Sequence, residues 1–226
     1  MTLIPLERKK EIGERLEKLG LKFEFFKAID GSQLSQQEKE LYSQKSAIQQ
    51  FGRELMEGEI GAAISHAKIW QWVIDIDQTV LVLEDDAVFD INLINLIKNN
   101  KKFPSDWELI NFHTDAGLEP IGETVYDEYR IARLLGDANR LTAYLINPKG
   151  AKKLIKHVYP IRVQCDGLTG RTNITGLISY GVAPQLVKNS DDPSVTLLVT
   201  RDAREKRSLV QRVIRKISGI YYSKFG

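Results

Sequence analysis

The chain has 226 residues, of which 42% are hydrophobic and 27% charged, and its formal net charge is +2. That length and balance allow a sizeable core and exclude a disordered, collagen-like or disulfide-stapled chain, since the single cysteine, Cys165, can form no internal bridge. The small net charge hides a segregation: residues 201–226 hold eight Lys or Arg against Asp202 and Glu205, a local +6, which leaves −4 on the rest.

The opening MTLIPLERKK has too short an apolar run for a signal peptide or an anchor, and no later run approaches membrane length. A soluble cytoplasmic protein is therefore expected. Asn173-Ile174-Thr175 matches a glycosylation triplet, but that motif is common by chance and matters only in a secreted chain. Residues 2–6 read as a first strand and residues 7–19 as a charged helix with Ile12, Leu16 and Leu19 on one side, stopped by Gly20. Residues 21–29 (LKFEFFKAI) read as a second strand that Asp30-Gly31 turns outward. A β-α-β unit of this kind puts both strand ends on one edge of a parallel sheet, where Leu6, Arg8 and Asp30 would stand.

Residues 35–50 are polar and weakly helical. In residues 59–75 the apolar Ile60, Ala63, Ile64, Ala67, Trp70, Val73 and Ile74 follow helical spacing, with Lys68, Gln71 and Asp75 as a narrow polar stripe. This helix should be mostly buried, and His66 within it reads first as a hydrogen-bonded core residue. Residues 80–89 (VLVLEDDAVF) form the centre of the chain: an apolar run suited to a buried strand, then Glu84, Asp85 and Asp86 at its exit. Asp90 can cap a helix over residues 91–99. Residues 107–113 look like another strand, which Thr114-Asp115 leaves. Residues 129–135 suggest a strand and turn, residues 141–146 (LTAYLI) a strand, and Pro148 the start of a helix reaching residue 158. Cys165-Asp166-Gly167 reads as a loop, and residues 178–182 and 186–187 as late strand pieces. The end of the chain carries Leu209, Val213, Ile217 and Ile220 at helical spacing among its basic residues, so it is a basic amphipathic helix that can meet anionic lipid. A merely solvated helix explains it about as well. One α/β domain over residues 1–200 with a tail over 201–226 is the simplest division.

Desolvated carboxylates must face water, meet cations or hold a metal. Mg2+ and Mn2+ are usually held by one or two carboxylates together with substrate phosphates and water, and Glu84 and Asp86 have an acid-x-acid spacing that a turn can present to one ion. A departing diphosphate on such a cation is the obvious use, while a solvated acidic turn is the plain alternative. The sequence contains no P-loop and no Gly-x-Ser-x-Gly, and His66, His113 and His157 lack zinc spacing. No aromatic and basic patch accompanies the tail, so nucleic acid is not an expected partner. A receiver-type phosphoacceptor would need an acid pair after the first strand, where Leu6-Glu7-Arg8 stands.

Four stretches taken together, LIPLERKKEIGERLEKLGLKFEFFKAIDG, GEIGAAISHAKIWQWVI, VLVLEDDAVF and LTAYLINPKGAKKLI, resemble glycosyltransferase family 25, the lipopolysaccharide and lipooligosaccharide group that includes β-galactosyltransferases. The resemblance implies a GT-A-like domain with a mostly parallel central sheet flanked by helices. It also implies a UDP-sugar donor, most often UDP-galactose, a lipid-linked oligosaccharide acceptor, and inversion at the anomeric carbon. By position it assigns Asp86 to the metal, Glu84 to metal or ribose, and Asp85 to the same acidic motif. Leu6, Arg8 and Asp30 fall where the donor nucleotide is expected. Ser65 and His66 match the family's Ser-His, which shifts His66 from a core to a donor-side role. Asp166 is the expected general base, with Asp115 in reserve, and Asn189, Ser190 and Asp191 would close the diphosphate site. Two departures stand out: the first strand-to-helix connection is shorter than the family pattern, and Asn189 replaces a more usual Gln. The reading is a metal-dependent hexosyltransferase at the inner face of the cytoplasmic membrane, and its rival is a non-catalytic nucleotide-sugar or glycan-binding module on the same fold.

Overall fold

The computed structural model describes residues 6–89, 91–113, 123–134 and 140–189. Helix α1 (Leu6–Lys18) turns Ile12 and Leu16 inward. It ends in paired reverse bonds, Leu21 N–H to the Leu16 carbonyl (3.0 Å) and Gly20 N–H to the Glu17 carbonyl (2.9 Å), with Gly20 at φ +69°. This is the left-handed closure that glycine adopts without a Cβ penalty, so the expected stop at Gly20 is in place. Short helices α2 (Gln36–Glu40) and α3 (Gln44–Phe51) follow, the first opened by a reciprocal cap between Ser35 and Glu38.

The long helix α4 (Glu57–Ile76) buries Ile60, Ala63, Ile64, Ala67, Trp70 and Val73, the spacing expected from the sequence. Strand β1 (Val80–Leu83) leads through the acids into β2 (Ala87–Val88) and helix α5 (Ile91–Lys98). Next come β3 (Leu109–Asn111), the hairpin β4 (Glu123–Tyr126) and β5 (Tyr129–Arg133), β6 (Ala143–Ile146) and α6 (Pro148–Val158). Helix α6 starts as anticipated: Pro148 takes the first turn and the Asn147 side chain accepts from Gly150 N–H at 3.0 Å. Short helices α7 (Cys165–Gly170) and α8 (Thr172–Thr175) precede β7 (Ser179–Ala183) and β8 (Lys188–Asn189).

The main sheet has the order β1-β6-β3-β7-β5-β4, and β2 and β8 form a separate ladder. Of the neighbouring pairs in the main sheet only β3 and β7 are parallel, so the expectation of a mostly parallel sheet is corrected. There are two reasons: β6 runs opposite to both β1 and β3 and inserts between them, and the β4–β5 hairpin adds to β7 in the antiparallel sense. Strands β1, β3 and β7 still point the same way, so their C-terminal ends share one edge, and the acids leave the sheet there.

Residues 2–5 of the expected first strand lie outside the described residues; Leu6 opens α1 and residues 21–29 form no strand, so the second strand of the anticipated β-α-β unit is not formed. The aromatic side chains of that segment pack on α1 instead, with Lys9 Nζ 4.6 Å above the Phe25 ring and Phe23 edge-on to Phe25. Cys165 to Gly167, expected in a loop, opens α7. The basic tail lies outside the described residues; among the described residues no helix is long and apolar enough to cross a membrane.

Alternation along β6 separates the two cores. Tyr144 and Ile146 join α4 and α6 on one face, while Ala143 and Leu145 meet α1 and α5 on the other, giving three layers. The segment before α2 is pressed onto α4 through glycine: a Cβ on Gly61 would lie 2.7 Å from the Ile29 carbonyl oxygen, and one on Gly31 would lie 1.9 Å from that of Glu57. Gly61→Ala should therefore destabilise by about 1–3 kcal/mol in urea unfolding, overriding alanine's better helix propensity. Gly13→Ala, which meets only ordinary contacts at 3.6 Å and beyond, should raise stability by up to about 1 kcal/mol.

Candidate active site

The acids occupy a tight turn tied at both ends. Glu84 N–H donates to the Thr142 carbonyl at 2.8 Å, extending the β1–β6 pairing, and Ala87 N–H closes back on the Glu84 carbonyl at 3.1 Å. Ala87 then pairs with Asn189 in the β2–β8 ladder. Glu84, Asp85 and Asp86 are each half-buried, and Asp86 Oδ1 is shielded from solvent.

Behind Glu84 lies a buried polar group that sequence reasoning largely missed. His66 Nε2 stands 3.5 Å from Glu84 Oε1, and His66 Nδ1 is 2.8 Å from the Tyr144 hydroxyl, which also accepts from Trp70 Nε1 at 3.1 Å. Burial holds the Tyr144 phenol well above its ordinary range, against the opposing hydrogen bond from Trp70. Trp70 follows His66 by one helical turn, which was the available signal; Tyr144 sits inside an apolar strand that gave none.

The start of α7 reaches the same centre. Burial first, then the charges of Asp166 and Glu84, push the Cys165 thiol well above its usual range, so both carboxylates bear on one sulfur. Asp166 Oδ1 accepts from Gly167 N–H at 2.7 Å. This end of α7 is anchored by Gln164, whose side-chain amide donates to Glu59 Oε1. Glu59 is buried and takes the Arg53 guanidinium on both oxygens, with Nη1 to Oε2 at 2.6 Å, while its Oε2 also accepts from Met56 N–H at 2.8 Å. Neither Arg53 nor Glu59 stood out in the sequence, because a charged residue at a helix start is usually solvated.

Ser65 points elsewhere. Its hydroxyl accepts from Ile29 N–H at 2.8 Å and donates to the Gly61 carbonyl at 2.8 Å, so it holds the chain that delivers Asp30. Asp30 is half-buried; its carboxylate accepts from the Ser32 hydroxyl at 2.7 Å and the Ser32 amide at 3.0 Å, which keep its pKa below the usual carboxylate value. Leu6 and Arg8 belong to the first turn of α1. Asp115, Asp90, Ser190 and Asp191 lie outside the described residues.

The structure thus brings His66 to Glu84, packs Cys165 at the start of α7 on the core that holds Trp70 and Tyr144, and ties Ser65 of α4 to the segment bearing Asp30. Among the described residues no three His, Cys, Asp or Glu side chains converge as a ready-made metal cage. A divalent cation that takes one or two carboxylates and completes its shell from diphosphate and water remains compatible with Glu84 and Asp86.

Carboxylates at the common exit of β1, β3 and β7, in a three-layer fold, define an α/β protein with an acidic ligand edge. Residues 4–169 match the model of glycosyltransferase family 25 (LPS biosynthesis protein), and the chain belongs to that family. It is 31% identical over 158 residues to a glycosyltransferase 25 family member of Aedes aegypti, covering 66% of this chain and 26% of the relative. It is 30% identical to procollagen galactosyltransferase 1 of Danio rerio over 118 residues (46% of this chain, 18% of the relative). The same identity holds to procollagen galactosyltransferase 2 of Homo sapiens over 116 residues (46% and 17%). The chain therefore spans about a quarter or less of the length of these relatives.

The thiol reports on this geometry. Alkylation of Cys165 by iodoacetamide, followed by mass spectrometry, should be slower than for a free cysteine at pH 8, with its rise displaced to higher pH. Glu84→Gln and Asp166→Asn should each accelerate it, since both remove a charge opposing the thiolate.

Proposed function

We propose that the protein is an inverting hexosyltransferase that moves galactose from UDP-galactose to a lipid-linked oligosaccharide. The observation that carries this reading is the acidic turn at the shared exit edge of β1, β3 and β7, with Glu84 backed by His66 at 3.5 Å, in a chain of family 25. The acceptor hydroxyl oxygen bonds to the anomeric carbon as the bond to the diphosphate oxygen breaks, and UDP leaves from the opposite face. Asp166 takes the proton of the attacking hydroxyl. Glu84 and Asp86 would hold a Mn2+ or Mg2+ ion, which would offset the charge on the leaving diphosphate. Asp85 belongs to the same acidic turn, and Leu6, Arg8, Asp30 and Ser65 form the nucleotide side. Asp115 is the reserve base.

Galactose is supported by the names of the zebrafish and human relatives, and the glycolipid acceptor by the family's description. The +6 charge of residues 201–226 supports a peripheral contact with anionic membrane at the cytoplasmic face. The GT-A-like reading is supported by the shared direction of β1, β3 and β7, although β6 interrupts their adjacency.

Incubation with UDP-galactose, Mn2+ and a truncated lipooligosaccharide should release UDP and form galactosylated product. Asp166→Asn should lower kcat by about 100- to 10,000-fold with little change in donor KM. Asp86→Ala should abolish the Mn2+ dependence of UDP binding in calorimetry. Tight UDP binding without turnover on any acceptor or by hydrolysis would instead identify a nucleotide-sugar-binding module.

A further inference from the structure

We infer that Trp70, Tyr144 and His66 form a one-way hydrogen-bond relay that fixes the His66 tautomer and, by turning its Nε2 proton toward the carboxylate 3.5 Å away, makes His66 a positioning residue for Glu84. The indole N–H of Trp70 can only donate, so at 3.1 Å it occupies an acceptor site of the Tyr144 oxygen. The phenol then has one proton of its own to place. Tyr144 is fully buried, and its other partner among the described residues is His66 Nδ1 at 2.8 Å. If Nδ1 carried hydrogen, two donors would face the phenol oxygen and the phenol proton would be left without an acceptor in a dry core.

Tyr144 must therefore donate to Nδ1. A neutral imidazole with Nδ1 as acceptor keeps its proton on Nε2, the atom that faces Glu84 Oε1 at 3.5 Å. Each donor in the series consequently points toward the acidic turn. The His66 side chain is only 7% exposed, whereas that of Glu84 keeps 39%. The histidine supports the carboxylate from inside and leaves its outer side open to solvent or ligand. This differs from a histidine that touches the donor itself. Fixing a ligating carboxylate from behind is how outer groups tune a ligand site. The consequence for donor binding rests on the proposed role of Glu84, while the tautomer and the relay do not.

The test combines nitrogen NMR with binding. In protein labelled with 15N-histidine at neutral pH, His66 is assigned by its loss in His66→Gln. Its Nδ1 should resonate as an unprotonated acceptor and its Nε2 as protonated. Tyr144→Phe, which keeps the ring, should shift the tautomer balance toward Nδ1–H. Glu84→Ala should speed exchange of the Nε2 proton with water. With UDP and Mn2+ as the probe, His66→Ala should weaken binding roughly 10- to 100-fold. His66→Gln, whose amide can still donate to Glu84, should recover most of that loss. Nδ1–H as the main wild-type tautomer, or an Nε2 proton whose exchange ignores Glu84→Ala, overturns the relay. Unchanged UDP affinity in a folded His66→Ala overturns the positioning role. If the wild type binds no UDP, the transferase reading falls while the NMR result still decides the relay.

Discussion

The hydroxyl of Tyr144 imposes a demand that several elements answer at once. A phenol in the middle of a buried strand has no water to bond, and an unmade hydrogen bond there costs about 1–3 kcal/mol. Trp70 and His66, one turn apart on α4, supply the partners. Meeting that demand fixes the rotation of α4 about its axis and its height along β6. Since β6 is also hydrogen-bonded to β1, the same contact sets how far His66 stands from the acids that follow β1. Polar satisfaction in the core and geometry at the site are therefore one constraint.

At the other end of α4 the Arg53–Glu59 pair plays a parallel part. A buried ion pair adds little net stability over apolar packing, because desolvating both charges offsets most of their attraction. Its value lies in direction: Glu59 has defined lone pairs, and Arg53, the Met56 amide and Gln164 occupy them. Leucine packing at this point could slide. A saturated carboxylate cannot, so the residue preceding α7 is pinned, and Asp166 lies two positions further on. The acidic turn and α7 are thus each held by a polar contact to the same helix, and their separation is set by a rigid rod rather than by loops.

Local structure was largely legible in the sequence, and strand direction was not. The boundaries of α1, α4 and α6 followed from apolar spacing, Gly20 and Pro148, all of which act within a few residues. The apolar run LTAYLI announced β6, but a strand buried on both faces looks the same whichever way it runs, so its insertion between β1 and β3 left no local trace. The segment LKFEFFKAI failed for a related reason. Its alternating aromatics suit a strand, yet they find α1 and Lys9 as partners instead of a sheet face. At the site, Glu84 stands out because acids after a strand are unusual, whereas His66 by itself reads as a core residue, and it and Asp166 are singled out only through the family resemblance. Tyr144, Arg53, Glu59 and Gln164 are ordinary in their local settings, and their roles exist only once distant segments meet.

The adjacency of Ser65 and His66 gains a physical meaning from the helix that carries them. Successive residues on an α-helix point about 100° apart, so two neighbours cannot serve the same contact. Ser65 turns to the backbone of Ile29 and, through it, to the loop bearing Asp30. His66 turns to the sheet and Glu84. Gly61, one turn before Ser65, lets the 29–31 backbone lie directly against the helix, so the serine can reach an amide that any larger residue at that position would hold away. The dipeptide works as a bracket, setting the angle between the half-buried loop bearing Asp30 on one side and the acidic turn on the other. One straight helix carrying two differently aimed side chains is a direct way to keep two such surfaces at a fixed spacing, as the proposed UDP-sugar donor would require.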